Sequence, residues 1–359
     1  MLNHNIIAVG ASAGGMEVLK HIVAQLPCDF PGTVFIVWHV SPTYPSMLPQ
    51  ILQRLCSLPV AHAIDEEAIE PGRVYIAPPD HHLIVEQGQV RVTRGPKENR
   101  FRPSVDVLFR SAALAYGAQV IGVVLTGSLD DGAAGMYAIK NRGGIGLVQD
   151  PFEALYPSMP IQTMKAAKID YCLPMKEIGA LLVSLVNEAV EKREENPVSD
   201  QMEMEVAIAR EDNAFGLGIM KLGEPSPYTC PECHGVLLKL KEGNFIRFRC
   251  HTGHAYSLNT LLAEVTKYIE DKLWGTLRAI EESQLLMSHM AEHMREENDN
   301  EMAELFLQKS EEANKRSELI RQALMSHEMV TQEKLNSQRK NPHSDPFTGH
   351  YGDNVNPPE

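Results

Sequence analysis

The sequence predicts an α/β protein: a doubly wound, mostly parallel sheet, followed by a small β-hairpin module and an α-helical hairpin. Three observations predict it. Short β-branched runs alternate with stretches of helical spacing through about residue 190, the pattern of strand–helix–strand crossovers. Polar, glycine-bounded loops follow the ends of several of these runs, where ligands bind in such sheets. Beyond them come two cysteine-bearing knuckles and a long apolar stripe of helical period.

The first run, Ile6-Ile7-Ala8-Val9, stops at Gly10-Ala11-Ser12-Ala13-Gly14-Gly15, and Met16 to Leu26 resumes with apolar residues at helical spacing. This reads as strand, tight turn, helix. Three readings fit the turn. Gly-x-Ser-x-Gly exposes a serine oxygen beside the amides of a helix start, a nucleophile's position. The same glycines and helix dipole suit a phosphate, and a glycine turn can also simply pack helix on strand. Thr33 to Val37 reads as a buried second strand with His39 just past its end; Ser46 to Leu55 reads as helix, Val60 to Ala63 as extended, and Arg73 to Ala77 as a strand introduced by Pro71-Gly72. Leu83 to Val85 and Val90 to Val92 flank Gln87-Gly88 as a hairpin on the rim. Val105 to Tyr116 is helical by spacing. Ile121 to Leu125 is a strand leading into Thr126-Gly127-Ser128-Leu129-Asp130-Asp131-Gly132, Met136 to Asn141 continues a helix, and Ile145 to Gln149 and Tyr171 to Leu173 are the last strands.

Ser12, His39 and Asp131 therefore all fall at carboxyl ends of strands. A serine hydroxyl is a poor nucleophile until a histidine takes its proton, and a carboxylate holds that imidazole in the useful tautomer. The amide of Ala13, just after the serine, would serve a developing oxyanion. His62, His81 and His82 are competing bases and Asp130 and Asp150 competing acids, which spacing alone leaves open. The order Ser, His, Asp differs from the Ser, Asp, His order of α/β-hydrolases.

Composition narrows the classes. A 359-residue chain with 43% hydrophobic residues supports two ordered units. A formal net charge of -14 argues against a general nucleic-acid binder, which needs a basic surface. No stretch approaches the ~20 apolar residues of a membrane span and no signal segment opens the chain, so a cytoplasmic protein without membrane insertion is expected. Of six cysteines, Cys28, Cys56 and Cys172 are scattered and expected to be buried.

Residues from Ile6 to about Val186 resemble the catalytic domain of the chemotaxis protein-glutamate methylesterase family, CheB. The matching stretches are Gly10-Ala11-Ser12-Ala13-Gly14-Gly15, Val37-Trp38-His39, Pro71-Gly72-Arg73-Val74-Tyr75-Ile76-Ala77-Pro78, Pro103-Ser104-Val105-Asp106-Val107-Leu108-Phe109, Leu125-Thr126-Gly127 with Asp131-Gly132-Ala133-Ala134-Gly135, and Gln149-Asp150 with Met159-Pro160. The resemblance implies Ser12 as nucleophile, His39 as general base and then acid, and Asp131, rather than Asp130, as orienting carboxylate. It implies hydrolysis of glutamyl methyl esters on the cytoplasmic helices of methyl-accepting chemoreceptors, with no catalytic cofactor. Some members also deamidate receptor glutamines. Members commonly carry a preceding receiver domain, whereas the catalytic strand here starts at Ile6; Ala13 stands where many have threonine, and Ser128-Leu129 replaces a common Met-Gly. A deamidase or esterase acting on another sensory protein, and a non-catalytic scaffold or anion-binding module, are the alternative functions.

After this unit (1–190), residues 191–227 read as a linker with short structure. Residues 228–256 read as a zinc-ribbon-like module: Cys230-Pro231-Glu232-Cys233 and Cys250-His251-Thr252-Gly253-His254 are knuckles joined by a hairpin. Cys230, Cys233, Cys250 and His254 supply four ligands for a structural zinc, with His251 as the competing fourth. Residues 257–335 read as a helical hairpin broken at Glu297-Asn298-Asp299-Asn300, its stripe formed by Leu258, Leu261, Leu262, Val265, Ile269, Leu273, Leu277 and Ile280. Met287, Met290, Met294 and Met302 are expected in its packing core rather than on an adaptable partner surface. The module is expected to serve regulation or docking of chemosensory signalling proteins, and 336–359 reads as a disordered tail.

Overall fold

The computed structural model describes residues 5–188, 196–211, 214–243 and 245–328, with 330 and 335. Its first half contains β1 (Ile6–Ala11), α1 (Gly15–Ala24), β2 (Thr33–Trp38), α2 (Leu48–Gln53), β3 (Val60–His62), β4 (Val74–Ile76), β5 (His82–Glu86), β6 (Gln89–Thr93), α3 (Val105–Tyr116), β7 (Val120–Val124), α4 (Ala133–Asn141), β8 (Ile145–Gln149), α5 (Ser158–Ala166), β9 (Tyr171–Leu173) and α6 (Met175–Asn187). Seven strands form one sheet in the order β3-β4-β2-β1-β7-β8-β9, and every pairing is parallel.

Both faces of this sheet are covered, which is why its strands are continuous apolar runs. Successive side chains alternate: Ile7 and Val9 pack with Val18, Leu19 and Ile22 of α1 and Leu182 and Leu185 of α6. Ile6 and Ala8 point the other way, toward Leu108 and Phe109 of α3 and Met136 and Ile139 of α4. The chain leaves β1 toward β2, β4 and β3, then returns to β7 on the opposite side of β1. The β1/β7 boundary is thus the topological switch point, where a crevice opens beyond the strand ends.

Two sequence expectations change here. The β5–β6 hairpin is a separate two-stranded sheet, and β5 is not on the rim: Leu83, Ile84 and Val85 are buried, with the Val85 amide donating to Ser111 Oγ of α3 at 3.0 Å. Cys28 and Cys172 are exposed, and only Cys56 of the scattered cysteines is buried. Cys28 lies in the turn after α1 and Cys172 on the edge strand β9.

Within 191–227, α7 (Asp200–Ala209) is packed rather than loose. Its Val206 and Ala209 bury against Ile84 and Val107, and Glu205 is 1% exposed. A four-stranded antiparallel sheet follows, β10 (Glu224–Thr229), β11 (Val236–Glu242), β12 (Phe245–Cys250) and β13 (Ala255–Ser257), in chain order. Then come α8 (Leu258–Glu296) and α9 (Asn300–Met325). Ser257 and Thr260 form a capping box at the start of α8, and Asp299 caps α9 by accepting from the Met302 amide at 3.0 Å.

The hairpin seam is not the predicted stripe. Leu261 and Leu277 are buried, but Leu258, Leu262, Val265 and Ile269 are exposed, and the buried contacts of α9 are Ala303, Ser310, Ala313, Ser317 and Leu324. A helix with one helical neighbour along most of its length can cover only a strip of its surface. None of the four methionines is buried; Met290 and Met302 are exposed. The tail at 336–359 lies outside the described residues.

Candidate active site

The crevice at the switch point gathers the three residues singled out above. Ser12 follows β1, His39 follows β2, and Asp131 precedes α4 after β7. His39 Nδ1 lies 3.1 Å from Ser12 Oγ, and His39 Nε2 lies 2.8 Å from Asp131 Oδ2. A neutral imidazole with its proton on Nε2 satisfies both contacts: it donates to Asp131 and accepts from the serine hydroxyl. The imidazole side chain is almost fully enclosed, and its ring stacks on Phe101 at 3.7 Å between centroids and 9° between planes.

The backbone fixes the serine. Its amide donates to Thr126 O at 3.0 Å, and its carbonyl accepts from the Trp38 indole at 2.8 Å. Gly14 has φ of 75°, a conformation open to glycine at little cost, which turns the chain into α1. The Ala13 amide has no hydrogen-bond partner among the described residues and lies beside the positive end of α1. Gly127 is needed for close approach: a Cβ there would stand 2.8 Å from Ser12 Cβ and 2.0 Å from Met159 Sδ.

Asp131 is buried and accepts five hydrogen bonds. Oδ2 takes His39 Nε2 and the Val105 amide at 2.7 Å; Oδ1 takes Asn99 Nδ2 at 3.0 Å, Ser104 Oγ at 2.8 Å and the Asp106 amide at 3.1 Å. Burial alone would raise its pKa, but bonding to His39, Asn99 and Val105 and the His39 charge hold it below the usual carboxylate value. Asp106, bonded to the same Asn99 amide at 2.7 Å, moves the opposite way: burial and the neighbouring Asp131 push its pKa well up. Asn99, Phe101, Ser104 and Asp106 were not identified as site residues from the sequence. Asn99 stands in a polar run that reads as an ordinary loop, and only the fold brings it to the carboxylate.

The competing residues are engaged elsewhere. His62 contacts Ile76 O and Ser46 O, His81 contacts Pro79 O, and His82 contacts Pro96 O. Asp130 accepts from Ser257 and Asn259, and Asp150 from the Phe152 amide.

A second cluster lies in the C-terminal sheet. Cys230, Cys233, Cys250 and His254 bring one ligand atom each within 4.8 Å of one another. The Cys233–Cys250 sulfur separation is 3.6 Å, and His254 Nδ1 lies 3.7 Å from Cys230 Sγ and 3.6 Å from Cys250 Sγ. Zn–S bonds of about 2.3 Å and Zn–N bonds of about 2.0 Å in a tetrahedron require separations of roughly 3.5–3.8 Å, so three thiols and an imidazole fit one zinc ion. His254, not His251, faces the group.

A doubly wound sheet with a serine, a histidine and a buried carboxylate in hydrogen-bonding sequence at its switch point defines a serine-hydrolase class of site. Residues 7–182 match the family model "CheB methylesterase". A Leptospira interrogans (strain Fiocruz L1-130) protein is 37% identical over 193 residues, 54% of this chain and 100% of that relative. The protein-glutamate methylesterase/protein-glutamine glutaminase 5 of Anaeromyxobacter dehalogenans is 39% identical over 184 residues, 50% of this chain and 51% of that relative. The crystal structure of the Thermotoga maritima CheB methylesterase catalytic domain is similar with 34% identity and a TM-score of 0.49, covering 51% of this chain and 98% of that one. The chain belongs to the CheB methylesterase family.

Proposed function

We propose that the chain is a protein-glutamate methylesterase that hydrolyses glutamyl γ-methyl esters on the cytoplasmic helices of methyl-accepting chemoreceptors, in the cytoplasm and without a catalytic cofactor. The observation that carries this reading is the continuous Ser12–His39–Asp131 hydrogen-bond chain. Ser12 Oγ attacks the ester carbonyl while its proton passes to His39 Nδ1. The Ala13 amide donates to the oxyanion of the tetrahedral intermediate, where a fixed donor acts without reorganising. Collapse expels the methoxy group, which takes the proton from His39 and leaves as methanol. Water, deprotonated by His39, then attacks the acyl-serine and releases the γ-carboxylate. Asp131 stays ionised throughout, orients the ring and stabilises its positive charge. Phe152, Leu155 and Tyr156, on the loop beside the serine turn, are exposed, which suits a macromolecular substrate laid across the crevice.

The names of relatives pair methylesterase with glutaminase activity, and the same acyl-serine would form from a glutamine side chain with loss of ammonia. In the C-terminal sheet we assign Cys230, Cys233, Cys250 and His254 to a structural zinc, because four protein ligands leave no open position. Methanol release from methylated receptor cytoplasmic fragments tests the main reading. Wild type is expected to release it, and Ser12→Ala and His39→Ala to abolish release while still folding. Undiminished release by both variants would overturn the assignment.

A further inference from the structure

The catalytic carboxylate and the Cys/His sheet meet at one side chain, Asn99. It is 1% exposed, with a left-handed φ of 51° that a non-glycine residue adopts at some cost. Its amide nitrogen donates to Asp106 Oδ2 and Asp131 Oδ1. Its amide oxygen accepts from the Ser257 amide at 3.0 Å and Thr260 Oγ1 at 3.3 Å. A backbone N–H only donates and an ionised carboxylate only accepts, so the side chain has a single consistent orientation.

The backbone of the same loop is laced to β13. The Asn99 amide donates to Ala255 O at 2.8 Å, and the Ala255 amide donates to Lys97 O at 3.2 Å. Ala255 follows His254 directly, and the knuckle is closed by bonds from the Cys250 amide to His254 O and from the Gly253 amide to Cys250 O, both 3.0 Å. On one side of Asn99, Glu98 bonds to Arg110 of α3 and to Arg247 and Arg249 of β12. On the other, Arg100 pairs with Glu264 of α8, and Phe101 lies flat on His39.

We propose that Asn99 is a positioning residue for Asp131, and that the Cys250–His254 knuckle holds Asn99 in place, so that reactivity of Ser12 depends on the C-terminal module and on the metal that orders it. This rests on the reading of Ser12, His39 and Asp131 given above. Without the Asn99 amide, Asp131 loses one of its five donors and faces Asp106 with no dipole between them. The other titratable or charged groups around the pair are His39, His82 of β5, Glu98 of the loop, Arg110 of α3, Arg247 of β12 and Asp130. Loss of a donor to the ionised form raises the basicity of Asp131 and of the imidazole it holds, and the reaction needs the carboxylate charged and the imidazole neutral.

The test is the second-order rate of Ser12 modification by a fluorophosphonate, measured on the full chain from pH 5.5 to 9. Wild type, Asn99→Ala and Thr260→Val are compared with wild type stripped by a chelator and then given Zn2+ alone. In Asn99→Ala the acid limb is expected to move up by about one pH unit, which below the limb is about tenfold in rate. Thr260→Val moves it the same way by less. Stripped protein shifts like Asn99→Ala, and Zn2+ restores it. An unmoved limb in a folded Asn99→Ala variant overturns the proposal whatever the overall rate, as does a stripped protein with the wild-type profile. If Asn99→Ala does not fold, Thr260→Val and the stripped protein decide. A wild type that reacts no faster than Ser12→Ala overturns the serine assignment itself.

Discussion

His82 has no exposed surface, donates from Nε2 to Pro96 O at 3.0 Å and accepts the Ser104 amide at 3.3 Å on Nδ1. Burial lowers its pKa from 6.5 to about 4. Above about pH 6.5 the ring is neutral folded and unfolded and adds no pH dependence. Between 6.5 and 4 the unfolded chain binds the extra proton, so stability falls as pH falls through that window. Denaturant midpoints at pH 7.5 and 5 should therefore drop more steeply in wild type than in His82→Gln, and equal slopes would remove His82 from the account. The same residues show what single positions concede to sequence reading. Ser12, His39 and Asp131 could be singled out because each lies beyond the end of an apolar strand run, Ser12 and Asp131 in glycine-bounded loops. Asn99 was not, since its work depends on partners 7, 32 and 158 residues away in the chain. His82 offered itself as a base and is a buried strut.

At the scale of elements, the parallel sheet was legible because each strand is a short apolar run and each covering helix an apolar face. The β5–β6 hairpin was misplaced because burial on its outer side comes from α7, whose Met202, Val206 and Ala209 give only a weak pattern among the charges of that stretch. The helical hairpin was legible as two helices, but its seam was not. Apolar spacing nominates the largest side chains, whereas close approach of α8 and α9 selects small ones such as Ala291, Ala303 and Ala313. Ala313→Leu should overpack this seam at a cost of about 1–3 kcal/mol. Leu285→Ala, on the exposed side, should change stability by no more than about 0.5 kcal/mol. Thermal melts of the two variants against wild type check the contrast; the reverse order would mean that Leu285, and not Ala313, lies on the seam.

Across the whole molecule, the junction between the sheet unit and the C-terminal module is a buried charge cluster. Glu98 and Glu205 bond to Arg110, Arg247 and Arg249, and all five are at most 3% exposed as side chains. The three guanidinium groups hold both carboxyls below the usual carboxylate range despite burial. Taking one partner away would leave an uncompensated buried charge, the costly way to break such a pair. Because the knuckle sits at the end of β12, metal loss should loosen this junction too. Purified protein is expected to carry zinc, to melt at lower temperature after chelation, and to lose the metal in Cys230→Ser; a metal-free, fully folded wild type would exclude the assignment. The cluster also sets an order in time. Glu98 and Arg249 are 151 residues apart in the chain, a distance a ribosome takes roughly 8–30 s to cover at about 5–20 residues per second. Glu98 is thus synthesised well before β12 exists to complete its junction, and during every round of translation the loop carrying Asn99 waits for a partner still being made.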